Sequence, residues 1–184
     1  LSGSGSAYTA TFTPTADGTC TIGVPAGKFT DAFGNNNSAA TQFVWIRDTV
    51  SPTVTLSYSS NGIYKQGDTA VITATFNEAM ATSPVPKITI NWSSGSGISN
   101  VTAQDMTRTS STVYTYSYTV PAGNGTGTIT LSNGTDVAGN VLTTPTSNNT
   151  FTVDNTKPTG DLTFGSDGPY KQGETVVMTA TFTE

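Results

Sequence analysis

YKQGDTAVITATFNE occupies residues 64–78, and YKQGETVVMTATFTE occupies residues 170–184. The copies stand 106 residues apart (170 − 64). In the first, Ile72, Ala74 and Phe76 alternate with threonines. Successive side chains on a strand point to opposite faces, so the phrase reads as a β-strand with one apolar and one polar face. A phrase written twice implies a structural unit built twice.

Two further pairs keep the same order. DTVSPT at 48–53 matches DNTKPT at 154–159, again 106 residues on, and DAFGN at 31–35 matches DVAGN at 136–140, offset by 105. Three aligned pairs define a repeat of domain length. The sequence therefore divides into residues 49–154, one whole repeat; residues 1–48, the last part of a preceding repeat; and residues 155–184, the first part of a following one. Both outer divisions fall inside a repeat. The leading expectation is a window on a longer array. The alternative is that subunits complete each other by strand addition, against which stands the lack of a second segment for the middle strands.

Period-two alternation locates the strands of the whole repeat. Strand A carries Val54, Leu56 and Tyr58, B carries Ile72, Ala74 and Phe76, and C carries Ile88, Ile90 and Trp92. A weaker strand D is expected near 98–103. Tyr114, Tyr116 and Tyr118 mark E, Ile129 and Leu131 mark F, and Phe151 and Val153 mark G. Seven short strands separated by Gly, Pro and Asn read as an immunoglobulin-like β-sandwich. The expected fold is all-β, with such sandwiches in series. In residues 1–48, Tyr8, Ala10 and Phe12 take the place of the E-strand tyrosines, and Cys20 is expected, as a small buried hydrophobe, where Ile129 sits.

Composition agrees with strands. Of 184 residues only 10% are charged and 34% hydrophobic, and no stretch shows helical apolar spacing. A net charge of −5 argues against nucleic acid as a partner. No apolar run is long enough to span a bilayer, so direct membrane insertion is not expected. There is no His, which removes Ser-His and Cys-His catalytic pairs, and the single Cys20 cannot form an internal disulfide. Asp105 and Asp136 fall on different predicted loops, with no aromatic cleft for a glycosidase. The chain is expected not to be an enzyme.

The phrases GDTAVITATFNEAM, VYTYSYTV, GTDVAGN and DNTKPT together resemble the bacterial Ig-like (Big) repeats of large secreted surface adhesins. The spelling is most similar to gliding and surface adhesins of Bacteroidota. YTATFTPTADGTCTIGVPAGKFTDAFGNNNSA, in the first 48 residues, resembles a sister type of the same repeat. The resemblance implies an extracellular, cell-surface stalk. Neighbouring Ig-like domains of the same chain would be its partners. A tip elsewhere would meet surface polysaccharide or host and substratum ligands.

In an Ig-like sandwich the N-terminal linker, the B–C loop and the F–G loop share one pole. That topology brings Asp48, Glu78, Asp136 and Asn140 together, and the preceding unit would add Asp17 from its E–F loop. The next junction would use Asp154 and Glu184, facing Asn61, Asp68 or loop 121–127. Hard oxygen ligands of this sort suit Ca²⁺, and calcium at domain junctions is also what the resemblance implies. The competing reading is turn chemistry, since an Asp in DxxGN or before Thr-x-x-Pro can cap its own turn.

Three further readings concern single residues. Trp92, Tyr64 and Tyr170 are candidates for stacking on sugar rings in an accessory carbohydrate-binding or linker module; the alternative is local packing. Lys87 is weighed for an intramolecular crosslink and expected to face solvent. The resemblance also implies O-glycosylation at Asp-Thr-apolar tripeptides, which places candidates at Thr49 and Thr69.

Overall fold

Each alternating stretch becomes a strand, and the apolar faces close on one another. The computed structural model describes residues 2–165 and 167–183. Four strands precede the whole repeat: β1 (Ser2–Ser4), β2 (Ala7–Thr9), β3 (Gly18–Ile22) and β4 (Phe43–Arg47). The whole repeat contributes β5 (Val54–Tyr58), β6 (Ile63–Tyr64), β7 (Thr69–Phe76), β8 (Lys87–Trp92), β9 (Val101–Asp105), β10 (Thr107–Arg108), β11 (Val113–Thr119), β12 (Gly125–Ser132) and β13 (Thr150–Val153). Two follow it, β14 (Gly160–Phe164) and β15 (Met178–Phe182).

The repeat folds as an immunoglobulin-like sandwich. One sheet has the order β10-β11-β7-β5, the other β6-β13-β12-β8-β9. β5 pairs with β7 in the first sheet, and the chain then crosses so that β6 runs parallel to β13 in the second. Leu56, Ile72, Ala74 and Phe76 from one sheet meet Ile88, Ile90, Ile129, Leu131 and Phe151 from the other. Each larger side chain buried in this way contributes roughly 1.5–3 kcal/mol. Aromatic edges meet faces within the core, Phe76 on Tyr114 at 5.8 Å and Trp92 on Phe151 at 5.1 Å.

The expected strand D divides in two. Residues 101–105 pair with β8 at the edge of the second sheet, and the two-residue β10 takes the place beside β11. The reason lies in β9, which has a single half-buried residue and no apolar alternation to assign it a sheet. Its pairing with β8 is also irregular between Ile88 and Ile90.

The flanking hairpins repeat the registers of the sandwich. β14–β15 pairs Gly160 with Phe182, as β5–β7 pairs Val54 with Phe76. β3–β4 sets Cys20 opposite Trp45, as β12–β13 sets Gly127 opposite Phe151. The counterpart of Cys20 is thus Gly127, not Ile129, and the thiol is half-buried. A Cβ at Gly127 would lie 3.1 Å from the side chains of Ile90, Trp92 and Phe151, so a side chain there requires these neighbours to give by a few tenths of an ångström. The expected strand at 8–12 is shorter than its alternation suggested. Only Ala7–Thr9 is strand, and Tyr8 and Phe12 are exposed.

Candidate junction site

The DVAGN loop at 136–140 is built around one carboxylate. Asp136 is buried, and its Oδ1 accepts from the backbone N–H groups of Gly139 at 2.7 Å and Asn140 at 2.9 Å. Its Oδ2 accepts from Asn140 Nδ2 at 2.8 Å. The same Nδ2 donates to the main-chain carbonyl of Asp48 at 3.2 Å, which ties the loop to the linker that enters the domain. A bridge between Met80 and Asp136 draws in the B–C loop and with it Glu78. The DAFGN loop shares two of these bonds, from Asn35 N–H to Asp31 Oδ1 and from Asn35 Nδ2 to Oδ2; its further donor to Oδ1 is Phe33 N–H, two residues on rather than three.

Asp48, Glu78 and Asp136 each present an oxygen, and these oxygens lie within 4.8 Å of one another. Burial pushes the Glu78 carboxyl above its ordinary range, and the charges of Asp48 and Asp136 push it further. Burial acts upward on Asp136 too. There the hydrogen bonds from Asn140, Gly139 and Ala138 together outweigh it and hold the carboxyl below its ordinary value. Asp48 and Glu78 open onto a cleft of about 300 Å³ whose apolar walls are Ile46, Ala79, Val137 and Ala138, while Asp136 lies buried behind it.

The donor set fits a hard cation. An ionised carboxylate offers about four lone-pair sites, and the three hydrogen bonds at Asp136 leave room for a ligand bond. Asp48, Glu78 and Asp136 would hold the ion, with water completing the six to eight oxygens that calcium takes. The turn reading is equally visible in the geometry. Asp48 Oδ1 accepts from Val50 N–H at 2.9 Å, so Asp48 and Asp136 both organise their own turns.

The other predicted ligands lie elsewhere. Asp17 is outside this cluster; it forms an ion pair with Arg47 at 2.8 Å and accepts from Thr49 Oγ1 at 2.7 Å, so its charge is already offset. Asp154 is exposed and accepts from Thr156 N–H in a turn of its own. Asp68 likewise accepts from Lys65 N–H. Glu184 lies outside the described residues. The second linker is held by a residue the sequence reasoning missed, Asn155. Its N–H donates to Asn124 Oδ1 at 2.6 Å, its Nδ2 to Gly123 O, and its Oδ1 accepts from Gln66 N–H. Repeat position carried the signal: Asn155 follows Asp154 as Thr49 follows Asp48, and both touch the preceding E–F loop.

The sugar-stacking candidates separate. Trp92 and Tyr64 are core residues packed on Phe151, closed to a ligand; Tyr170 is exposed. Lys87 is half-buried and pairs with Asp105 across β8 and β9 rather than facing solvent alone. Thr49 and Thr69 are both exposed.

Residues 1–46 match the family model of a bacterial Ig-like domain. No curated protein and no solved structure matches the chain.

Proposed function

We propose that this chain is a spacer segment of a long secreted bacterial surface protein, an adhesin or filament, in which Ig-like sandwiches in series hold a binding tip away from the cell. The observation that carries the reading is the Asn140 clasp on the Asp48 carbonyl, because it fastens a domain to the linker of the unit before it. The bacterial Ig-like match over residues 1–46 supports it, since such domains are typical of extracellular and surface proteins. The similarity to Bacteroidota gliding adhesins belongs to this proposal, as does a mechanical rather than catalytic role. Exposed Thr49 and Thr69 leave room for O-glycans. Polysaccharide or substratum ligands fall to the tip.

Calcium is part of the same reading. An ion on Asp48, Glu78 and Asp136 would join the linker to both loops at the pole of the sandwich, stiffening the junction.

The test uses antibody raised to these 184 residues on intact source cells treated with external protease. Loss of a band much larger than these 184 residues supports the spacer. A band that survives until the cells are lysed overturns it.

A further inference from the structure

The registers of two hairpins make two residue pairs equivalent. Gly18 stands opposite Arg47 in β3–β4, and Gly125 stands opposite Val153 in β12–β13. Asp17 and Asn124 each precede that glycine, and Thr49 and Asn155 each lie two residues beyond its partner. Both pairs are bonded. Thr49 Oγ1 donates to Asp17 Oδ2 at 2.7 Å, and Asn155 N–H donates to Asn124 Oδ1 at 2.6 Å. The residue types differ, yet each time the donor is on the linker and the acceptor is on the E–F loop. The charge of the acceptor follows its neighbour. Asp17 also takes Arg47. In the whole repeat the place of Arg47 is held by the buried Val153, and the acceptor there is a neutral amide.

We infer that this pair is a metal-free latch, which holds the outgoing linker on the unit it leaves and so sets the direction in which the next unit begins. At the exit of the whole repeat the latch is reinforced. Asn155 Nδ2 donates to Gly123 O, and its Oδ1 accepts from Gln66 N–H at 2.6 Å. Gln66 lies just past β6, which runs parallel to β13, and Asp154 N–H donates to Tyr64 O at 2.9 Å. The Asn155 side chain therefore carries the β6–β13 ladder one step beyond the strands. Its acceptor is held from behind, since Asn124 N–H donates to the main-chain carbonyl of the buried Ser96 at 3.1 Å.

Thr156 N–H donates to Asp154 Oδ1 at 2.9 Å, so the successive amides of Asp154, Asn155 and Thr156 all have acceptors. Fixing each residue's backbone in one well costs conformational entropy, and these bonds offset that cost in the linker itself. None of them involves Asp48, Glu78 or Asp136. Those carboxylates lie where β5 enters, beside Phe76, whereas Asn155 lies where β13 leaves, beside Gly125 at the opposite pole. The latch thus works with or without a cation. The inference stands apart from the calcium and surface-spacer readings, because it concerns the linker of the purified chain.

The test is ¹⁵N relaxation and amide hydrogen exchange on the 184-residue chain in chelator. Order parameters at Asp154, Asn155 and Thr156 should lie near the rigid-backbone value of about 0.85. Asn124→Ala removes the acceptor at an exposed position. Exchange at the Asn155 amide should then become several-fold faster, and the order parameter of Thr156 should fall. Asn124→Asp supplies an acceptor again and should return both towards the parent. An unchanged core amide at Ile129 shows that the sandwich is folded in each variant. Parent order parameters below about 0.6 in the linker overturn the proposal, as does order that appears only when calcium is added. An Asn124→Ala chain indistinguishable from the parent overturns it too, and so does an Asn124→Asp chain as loose as Asn124→Ala.

Discussion

Asn140 reaches back 92 residues to donate its side-chain amide to the Asp48 carbonyl, while the same nitrogen binds Asp136 Oδ2 at 2.8 Å. One side chain thus closes its own loop and fastens the incoming linker. Replacing it with Ala removes both bonds and leaves a buried carboxylate with one donor fewer. At roughly 0.5–1.5 kcal/mol for each bond, Asn140→Ala should lower the unfolding free energy by about 1–3 kcal/mol, measured by urea denaturation. Asn35→Ala, in the exposed DAFGN loop, should cost less. Equal effects at both positions would mean that the clasp on Asp48 contributes nothing.

That clasp shows how far the sequence could be followed. The alternation of Ile72, Ala74 and Phe76 fixed strand, face and sheet together, because period two leaves one arrangement that buries all three. The repeat then placed Asp48, Glu78 and Asp136 at one pole, since Ig-like connectivity determines which loops meet. What could not be followed was set by single side chains. Asp17 has the right charge and loop, but Arg47 lies opposite and takes it. Asn155 bears no charge, and although its place in DNTKPT matches that of Thr49, the residue type alone does not announce its three contacts. Strand β9 lacks apolar alternation, and nothing in its residues selects one sheet over the other. Cys20 falls at the Gly127 position, an offset of 107 (127 − 20), two residues short of Ile129, because the loops before β3 and β12 differ in length and only the pairing with Trp45 and Phe151 fixes the register.

The junction carboxylates predict a pH profile with two opposing limbs. Glu78 titrates above its ordinary range in the folded chain, so folding favours its neutral form. Its effect on stability is absent below the unfolded value, about 4.3, and becomes a growing penalty as pH rises through the folded value. Asp136 is depressed, so its contribution is present above about 3.9 and is lost as pH falls through its folded value. In chelator, melting temperature should therefore rise slightly from neutral pH towards the carboxylate range and fall below it. Glu78→Gln should melt higher than the parent at neutral pH and equal to it once Glu78 is protonated. A constant difference across the whole range would refute the charge argument.

Calcium should reverse the sign of that same substitution. A ligand that binds only the folded state stabilises it by about 2.7 kcal/mol at a hundred times its dissociation constant. The parent chain should melt higher in calcium and return to its starting value with chelator. Glu78→Gln and Asp48→Asn should lose most of that rise. An identical melting temperature with and without calcium would leave the turn reading of Asp48 and Asp136 standing alone.

Leu56 and Leu162 make the sharpest comparison, because the repeat assigns them one position and the structure gives them opposite surroundings. Leu56 lies in the core opposite Ala74, whereas Leu162 lies opposite Ala180 on an uncovered hairpin. Truncating a buried leucine loses its transfer free energy and leaves a cavity, typically 2–5 kcal/mol. Truncating an exposed one usually changes stability by less than about 0.5 kcal/mol. Leu56→Ala should thus shift the unfolding midpoint of the 49–154 sandwich strongly, while Leu162→Ala leaves it unchanged. A large loss from Leu162→Ala in dilute solution would mean that its side chain is already covered within one chain, and the exposed hairpin face would have to be abandoned.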